Sequence, residues 1–313
     1  MDWFAIPGLS IFHSRQINGM ALFFQFASMV CFGITNVLWK PPLATLPVTI
    51  LILVRTILTS SFFLILVLLH LYFQFDSLNS FYKPFGDLRF SDVAITVCIC
   101  SISYWGLFFY NKSLSYTRTG ITIIISCIAT IGSILFSIFL YGEKITQPQI
   151  IIIVLFIVGL WFLENLDSSF LKLKLSKGVV YALLSLLFWS TWPLYRIAFE
   201  RVGILWFSLI LECTVLMLTF LIICFSGELG QLVSYKLAVL KNAKWIIALG
   251  LLGFGGVLFT NLAISGQAVS SYAIFGLVQP LISLSFAAIF LRERLTKLQY
   301  VGITIILLVL LFK

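Results

Sequence analysis

Ionisable side chains stand out where their neighbours are apolar. Arg55 lies in the run LILVRTIL (51–58) and Glu212 in LILECTVL (209–216). Arg55 is about eight residues inside its apolar stretch, roughly 12 Å from its start if the stretch is helical, and Glu212 is similarly deep. Charge at that depth in a bilayer is costly and faces a cavity or a partner. Arg55 suits a substrate carboxylate, and Glu212 suits an ammonium group or a proton. The two are also suited to pairing with each other, and Arg55 to reaching the headgroups along its apolar stem. Gln279 precedes Pro280 in LVQPLISLSF. A proline there removes a backbone donor and bends its helix, and freed carbonyls are tolerated at membrane depth where they line water. Asn111 and Asn261 offer amides either to a substrate or to a neighbouring helix. Trp189, Trp192, Tyr104 and Tyr272 offer rings for an amphipathic ligand, including cation–π contact with an amine, or serve ordinary packing. Ser126 is a further polar candidate.

Enzyme signatures are missing. The chain has no G-x-x-x-x-G-K-[ST] loop, no H-E-x-x-H, no G-x-S-x-G and no Gly-rich dinucleotide loop, so neither ATP hydrolysis nor a cofactor is called for. Two isolated histidines cannot form a zinc-hydrolase site. The six cysteines all fall in apolar stretches and read as small buried hydrophobes. An integral-membrane enzyme acting on lipids would need His, Asp or Glu clustered at one membrane face, and no such cluster is visible.

The elements that must position these residues follow from composition. Of 313 residues, 61% are apolar or aromatic and 10% are charged; mean hydropathy is +1.12. Soluble domains carry about 25% charged residues, so a water-soluble globule is excluded, and so is a disordered chain. A formal net charge of +9 fits basic residues at helix ends facing lipid headgroups rather than nucleic acid. Ten apolar segments appear, near 17–38, 47–73, 92–111, 119–140, 148–164, 178–198, 203–225, 244–264, 270–291 and 296–312. Each approaches the ~20 residues a helical span needs. Period-two alternation is lacking, which disfavours an outer-membrane barrel. The expected fold class is all-α and membrane-integral, with ten transmembrane helices.

Scarce polar residues recur at one offset. A shift of 150 residues places Gly106 on Gly256, Asn111 on Asn261, Ser115 on Ser265 and Ser133 on Ser283. It also places Glu143, Thr146 and Gln149 on Glu293, Thr296 and Gln299. Earlier in each copy, FGITNVLWK (32–40) matches FWSTWPLYR (188–196), so Lys40 corresponds to Arg196. The chain therefore reads as two five-helix repeats, 17–164 and 178–312. Five is odd, so the second repeat must cross the membrane in the opposite sense to the first, an arrangement used for alternating access. Glu143 and Glu293 are expected to position the last helix of each repeat electrostatically, with Thr146 and Thr296 as its N-caps.

The repeat endings FLYGEKITQPQIIIIVLFIVG (139–159) and FLRERLTKLQYVGITIILLV (290–309), with Pro280 in the ninth segment, resemble the drug/metabolite transporter superfamily, EamA type. The first half has Thr130 where a proline matching Pro280 would stand. The resemblance implies a carrier whose central cavity is lined by helices one to four and six to nine, with five and ten outside. It implies a small-molecule substrate: an amino acid or amine, with export favoured, or a nucleoside-like metabolite such as S-adenosylmethionine taken up. It also implies a multi-pass protein in the lipid bilayer of a bacterial inner membrane, as monomer or homodimer. The candidate substrate-binding residues are Gln279, Arg55, Glu212, Asn111, Asn261, Trp189, Trp192, Tyr104 and Tyr272.

Overall fold

Long runs of Ile, Leu, Val and Phe form helices here because a chain in hydrocarbon must satisfy each backbone N–H and C=O within its own segment. In the computed structural model of the protein the described residues are 19–73, 83–117, 119–143, 145–163, 176–266, 272, 273, 276, 277, 279–290 and 297–309. Among them every regular element is helical. In order these are α1 (Gly19–Leu38), α2 (Lys40–Leu43), α3 (Val48–Phe73), α4 (Phe90–Tyr116), α5 (Thr119–Cys127), α6 (Ala129–Tyr141) and α7 (Gln147–Leu163). There follow α8 (Lys177–Trp189), α9 (Leu194–Val202), α10 (Ile204–Phe225), α11 (Lys236–Lys241), α12 (Ala243–Ser265), α13 (Gln279–Phe290) and α14 (Lys297–Val309).

Six stretches are long and apolar enough to cross a membrane: Gly19–Leu43, Val48–Phe73, Phe90–Tyr116, Thr119–Tyr141, Ile204–Phe225 and Ala243–Ser265. The pair α8 and α9 adds a seventh if it is one span bent by 46°. The bend falls at 190–193, where Pro193 has no N–H to continue the ladder. The remaining three expected segments are represented by shorter helices. α7 has 17 residues, α13 has 12 and α14 has 13. Six full spans, or seven with the bent pair, are therefore present among the described residues.

The packing repeats with the sequence. α1 lies against α12, and α4 against α8; α1 meets α13, and α6 meets α8; α3 meets both α10 and α12, and α10 meets both α3 and α4; α7 and α14 pack on each other. Exchanging each element for its counterpart in the other half returns the same pairs, so the architecture is a two-repeat one. The closest approaches are exchanged as well. A Cβ on Gly256 of α12 would stand 2.9 Å from the Phe32 ring of α1, and one on Gly106 of α4 would run into the Trp189 ring of α8. Likewise a Cβ on Gly33 would meet Ile282 at 2.6 Å, and one on Gly132 would collide with Ser190. Small residues allow this close approach where lipid supplies no hydrophobic drive between helices.

The outer surface carries large apolar side chains such as Phe23, Leu64, Leu68, Met217 and Phe220, while Thr56, Thr59, Asn111, Ser133, Ser208 and Asn261 are buried. Many of the buried hydroxyls bond the carbonyl one turn back, as Ser208 does to Ile204 and Thr219 to Val215. The cysteines depart from the expectation of burial. Cys100 is buried and Cys31 half-buried, but Cys98, Cys213 and Cys224 are exposed on the outer surface. A thiol is apolar enough to face lipid, so an apolar neighbourhood in sequence does not distinguish inward from outward. The side chain of Cys127 lies outside the described residues.

Gly106→Ala and Gly256→Ala should each lose about 1–3 kcal/mol through overpacking against an aromatic ring. Thermal unfolding of the detergent-purified protein reads this as a lowered midpoint. Gly86→Ala, where a Cβ meets nothing within 4 Å, should melt like the unaltered protein. Equal midpoints for all three would show that the close approaches are not tight.

Candidate functional site

α3 and α10 lie side by side and bring together the two deep charges. Arg55 Nη1 donates to Glu212 Oε2 at 2.8 Å and Oε1 at 3.0 Å. Thr59, one turn further along α3, donates to Oε2 at 2.6 Å. Arg55 is 5% exposed and Glu212 is 2% exposed. The guanidinium passes over Gly253 of α12, where a Cβ would collide with Nη2. Three helices from both repeats thus enclose one ion pair. Desolvation offsets most of the attraction between two buried charges, but removing one partner strands the other and costs about 3–5 kcal/mol.

The pair forms part of the wall of a cavity of about 270 Å³. α1, α3, α4, α5, α6, α8, α10, α12, the residues Tyr272, Ala273 and Gly276, and Gln279 of α13 contribute to the lining, together with Trp192 in the bend before α9 and Tyr195 of α9. Among the described residues α7 and α14 do not contribute to it. Six aromatic residues line the space: Phe32, Tyr110, Trp189, Trp192, Tyr195 and Tyr272. Tyr110 and Trp189 lie 5.1 Å apart between centroids, and Trp192 meets Tyr272 edge-on at 5.1 Å. The Tyr272 hydroxyl shares hydrogen bonds with Ser28 at 3.2 Å and Thr260 at 3.0 Å, joining α1 and α12. Asn261 donates to Ser208 at 2.8 Å, tying α12 to α10. Asn36 donates to Ser283 at 3.3 Å, and Tyr195 bonds Ser103.

Seven of the nine residues expected from sequence line this cavity: Arg55, Glu212, Gln279, Asn261, Trp189, Trp192 and Tyr272. Asn111 and Tyr104 do not. Both are fully buried in α4, and Asn111 donates to the Leu107 carbonyl of its own helix at 2.9 Å. The cavity face of α4 is Ser103, Leu107 and Tyr110, spaced four and three residues apart. Tyr104 and Asn111 follow that stripe by one position, which on a helix turns them about 100° away. The symmetry of Asn111 and Asn261 in sequence is therefore broken in the structure. Ser103 and Tyr195 carry no distinguishing sequence signal, because their side chains are common in apolar helices and only the crossing selects their face.

Polar contacts outside the cavity fasten helix ends. Arg196 stands 3.8 Å from Glu143 and 3.5 Å from Glu200, with its guanidinium 5.4 Å from the centre of the Tyr141 ring. The Tyr141 hydroxyl donates to the Pro193 carbonyl at 2.7 Å. Glu143 thus faces a cation on the opposite repeat as well as standing before α7. Gln149 accepts from the Thr146 N–H at 2.9 Å, half of a capping box at the start of α7. Glu293 and Thr296 lie outside the described residues. Lys40 donates to the Leu114 and Thr117 carbonyls at the end of α4. Among the described residues no group of three or more His, Cys, Asp or Glu side chains is placed to hold a metal ion.

A model of the EamA-like transporter family matches residues 19–164 and 176–312. A solved structure described as "Crystal structure of protein" superposes with a TM-score of 0.66 at 15% identity, spanning 96% of this chain and 98% of that one. At that identity the likeness is one of fold. No curated protein matches the chain.

Arg55→Leu and Glu212→Leu should each destabilise the protein by about 3–5 kcal/mol, whereas the double variant should recover most of that loss. Thermal unfolding of the three variants in one detergent measures the coupling. Simple addition of the two single losses would show that the charges do not interact.

Proposed function

The chain belongs to the EamA-like transporter family, and from that premise we propose that it is a secondary carrier exporting a small amine or amino acid by alternating access. The family consists of integral, multi-pass transporters of small solutes. The observation that carries the finer reading is the central cavity, walled by helices of both repeats and containing a buried charge pair among aromatic rings. Ten crossings, five from 17–164 and five from 178–312 in opposite senses, would make the two halves interchangeable by a two-fold axis in the membrane plane. Such an axis would convert an inward-open arrangement into an outward-open one, and the exchanged helix pairs described above are those it would relate. Residence in a bacterial inner membrane and the export direction are carried over from the family resemblance.

Volume favours a small substrate. Pockets for drug-sized ligands run from roughly 300 to 1,000 Å³, and the cavity, at about 270 Å³, lies just below that range. An amino acid or amine fits with room for water. A nucleoside-like metabolite such as S-adenosylmethionine is the second reading, supported by the six aromatic residues of the wall. Proton coupling through Glu212 would require its carboxylate to leave Arg55; exchange or facilitated transport would not.

Radiolabelled counterflow in proteoliposomes tests the assignment, using amino acids, amines and nucleosides in turn. Saturable counterflow of an amino acid or amine is expected. Saturable movement of nucleosides alone would select the second reading, and conversion of lipid without flux would select a membrane enzyme. Trp192→Leu should raise the half-saturating concentration of the transported solute about tenfold, the equivalent of a lost ring contact of ~1.4 kcal/mol.

A further inference from the structure

Arg55 and Glu212 are the charged side chains in the cavity wall among the described residues, and their formal charges cancel. They belong to different repeats, Arg55 to α3 and Glu212 to α10, so the bond between them is also a bond between the halves. The pair leaves donors unused. Both contacts to Glu212 come from Arg55 Nη1, and the buried Arg55 Nε has no hydrogen-bond partner. Ser126 Oγ, in the cavity wall and 8% exposed, has none either. Orphaned buried polar atoms in a native structure call for an explanation, and here both belong to residues of the cavity wall.

We infer that the cavity selects a small zwitterion, its anionic group taken by Arg55 and its cationic group by Glu212, so that the ligand inserts itself into the ion pair joining the two halves. This rests on the carrier reading above. Charge balance supplies the argument. A zwitterion replaces one ion pair with two and leaves no charge alone. A simple amine that captures Glu212 strands Arg55, and a simple carboxylate that captures Arg55 strands Glu212. At this burial a stranded charge is the dominant cost. Arg55 Nε and Ser126 Oγ supply the additional donors a carboxylate can accept. The rings of Trp192 and Tyr272 meet the remaining, apolar part of the ligand. Insertion also separates α3 from α10, so occupancy and the movement of one repeat against the other become a single event. The empty carrier keeps its halves tied.

The test uses the full chain in proteoliposomes and two matched sets of probes: L-leucine, isoamylamine and 4-methylpentanoate, and L-alanine, ethylamine and propionate. Each set holds the side chain constant and varies the charge. At least one amino acid should drive counterflow about tenfold more effectively than its own amine and acid, the discrimination expected from one uncompensated buried charge. The variant Arg55→Leu/Glu212→Leu should melt near the unaltered protein yet lose this preference, its three probes falling within about threefold of one another. If an amine or an acid is moved as well as its amino acid, or if neither set shows the preference while another solute gives saturable counterflow, the inference is overturned and the carrier reading stands. A preference that survives in a folded double variant removes Arg55 and Glu212 from it. Failure of every amino acid, amine and nucleoside to give saturable flux overturns the carrier reading as well.

Discussion

A carboxylate and a guanidinium buried between three helices constrain the rest of this structure. In water an exposed pair of this kind contributes little; inside the bundle each charge depends on the other being present. The contact at 2.8 Å fixes the register of α3 against α10, because a slip of one residue would turn either side chain about 100° away from its partner. It also fixes α12, whose Gly253 leaves the space the guanidinium occupies. Thr59 completes the arrangement by donating a third hydrogen bond to the carboxylate. The sequence around the pair is ordinary apolar helix; these four positions make it specific.

The scaffold is more symmetric than its chemistry. Helix pairs and glycine contacts exchange between repeats: Gly106 under Trp189 answers Gly256 under Phe32, and Gly132 against Ser190 answers Gly33 against Ile282. Polar positions do not follow. Asn261 reaches the cavity and bonds Ser208, while Asn111 bonds its own helix behind the wall. Arg55 and Glu212 are opposite charges at nearby places in the two copies. Backbone packing must be preserved in both repeats for both to fold. A binding surface at their junction is met by one ligand from two sides, and the two sides need not carry the same groups.

Much of this was legible in the residues because polar groups are rare here. Arg55 and Glu212 announced themselves by depth alone, and Gln279 by its proline. Trp189 and Trp192 were readable from their distance into the helix. The amide of Asn111 and the ring of Tyr104 make them cavity candidates by residue type, but α4 presents Ser103, Leu107 and Tyr110 instead. Apolar residues surround α4 on every side, so its pattern contains no phase from which the inward face can be read; that phase is set by contact with α8. Hydropathy marks ten apolar segments, and six or seven full-length spans stand among the described residues.

Lys40 and Arg196, equivalent in the two repeats, show how far corresponding places can diverge in energetic character. Lys40 donates to backbone carbonyls at the C-terminal end of α4, where the helix dipole favours a cation. No side-chain substitution in α4 removes those acceptors. Arg196 instead faces Glu143, Glu200 and the Tyr141 ring. Its contacts of 3.5 and 3.8 Å are longer than direct charge-assisted bonds, and Glu200 is 47% exposed at its side chain. Salt screens the contact to the exposed Glu200. Lys40 thus fastens to the main chain, and Arg196 to side chains. Equivalent positions of the two repeats thus fasten helix ends by different chemistry within the same helix packing.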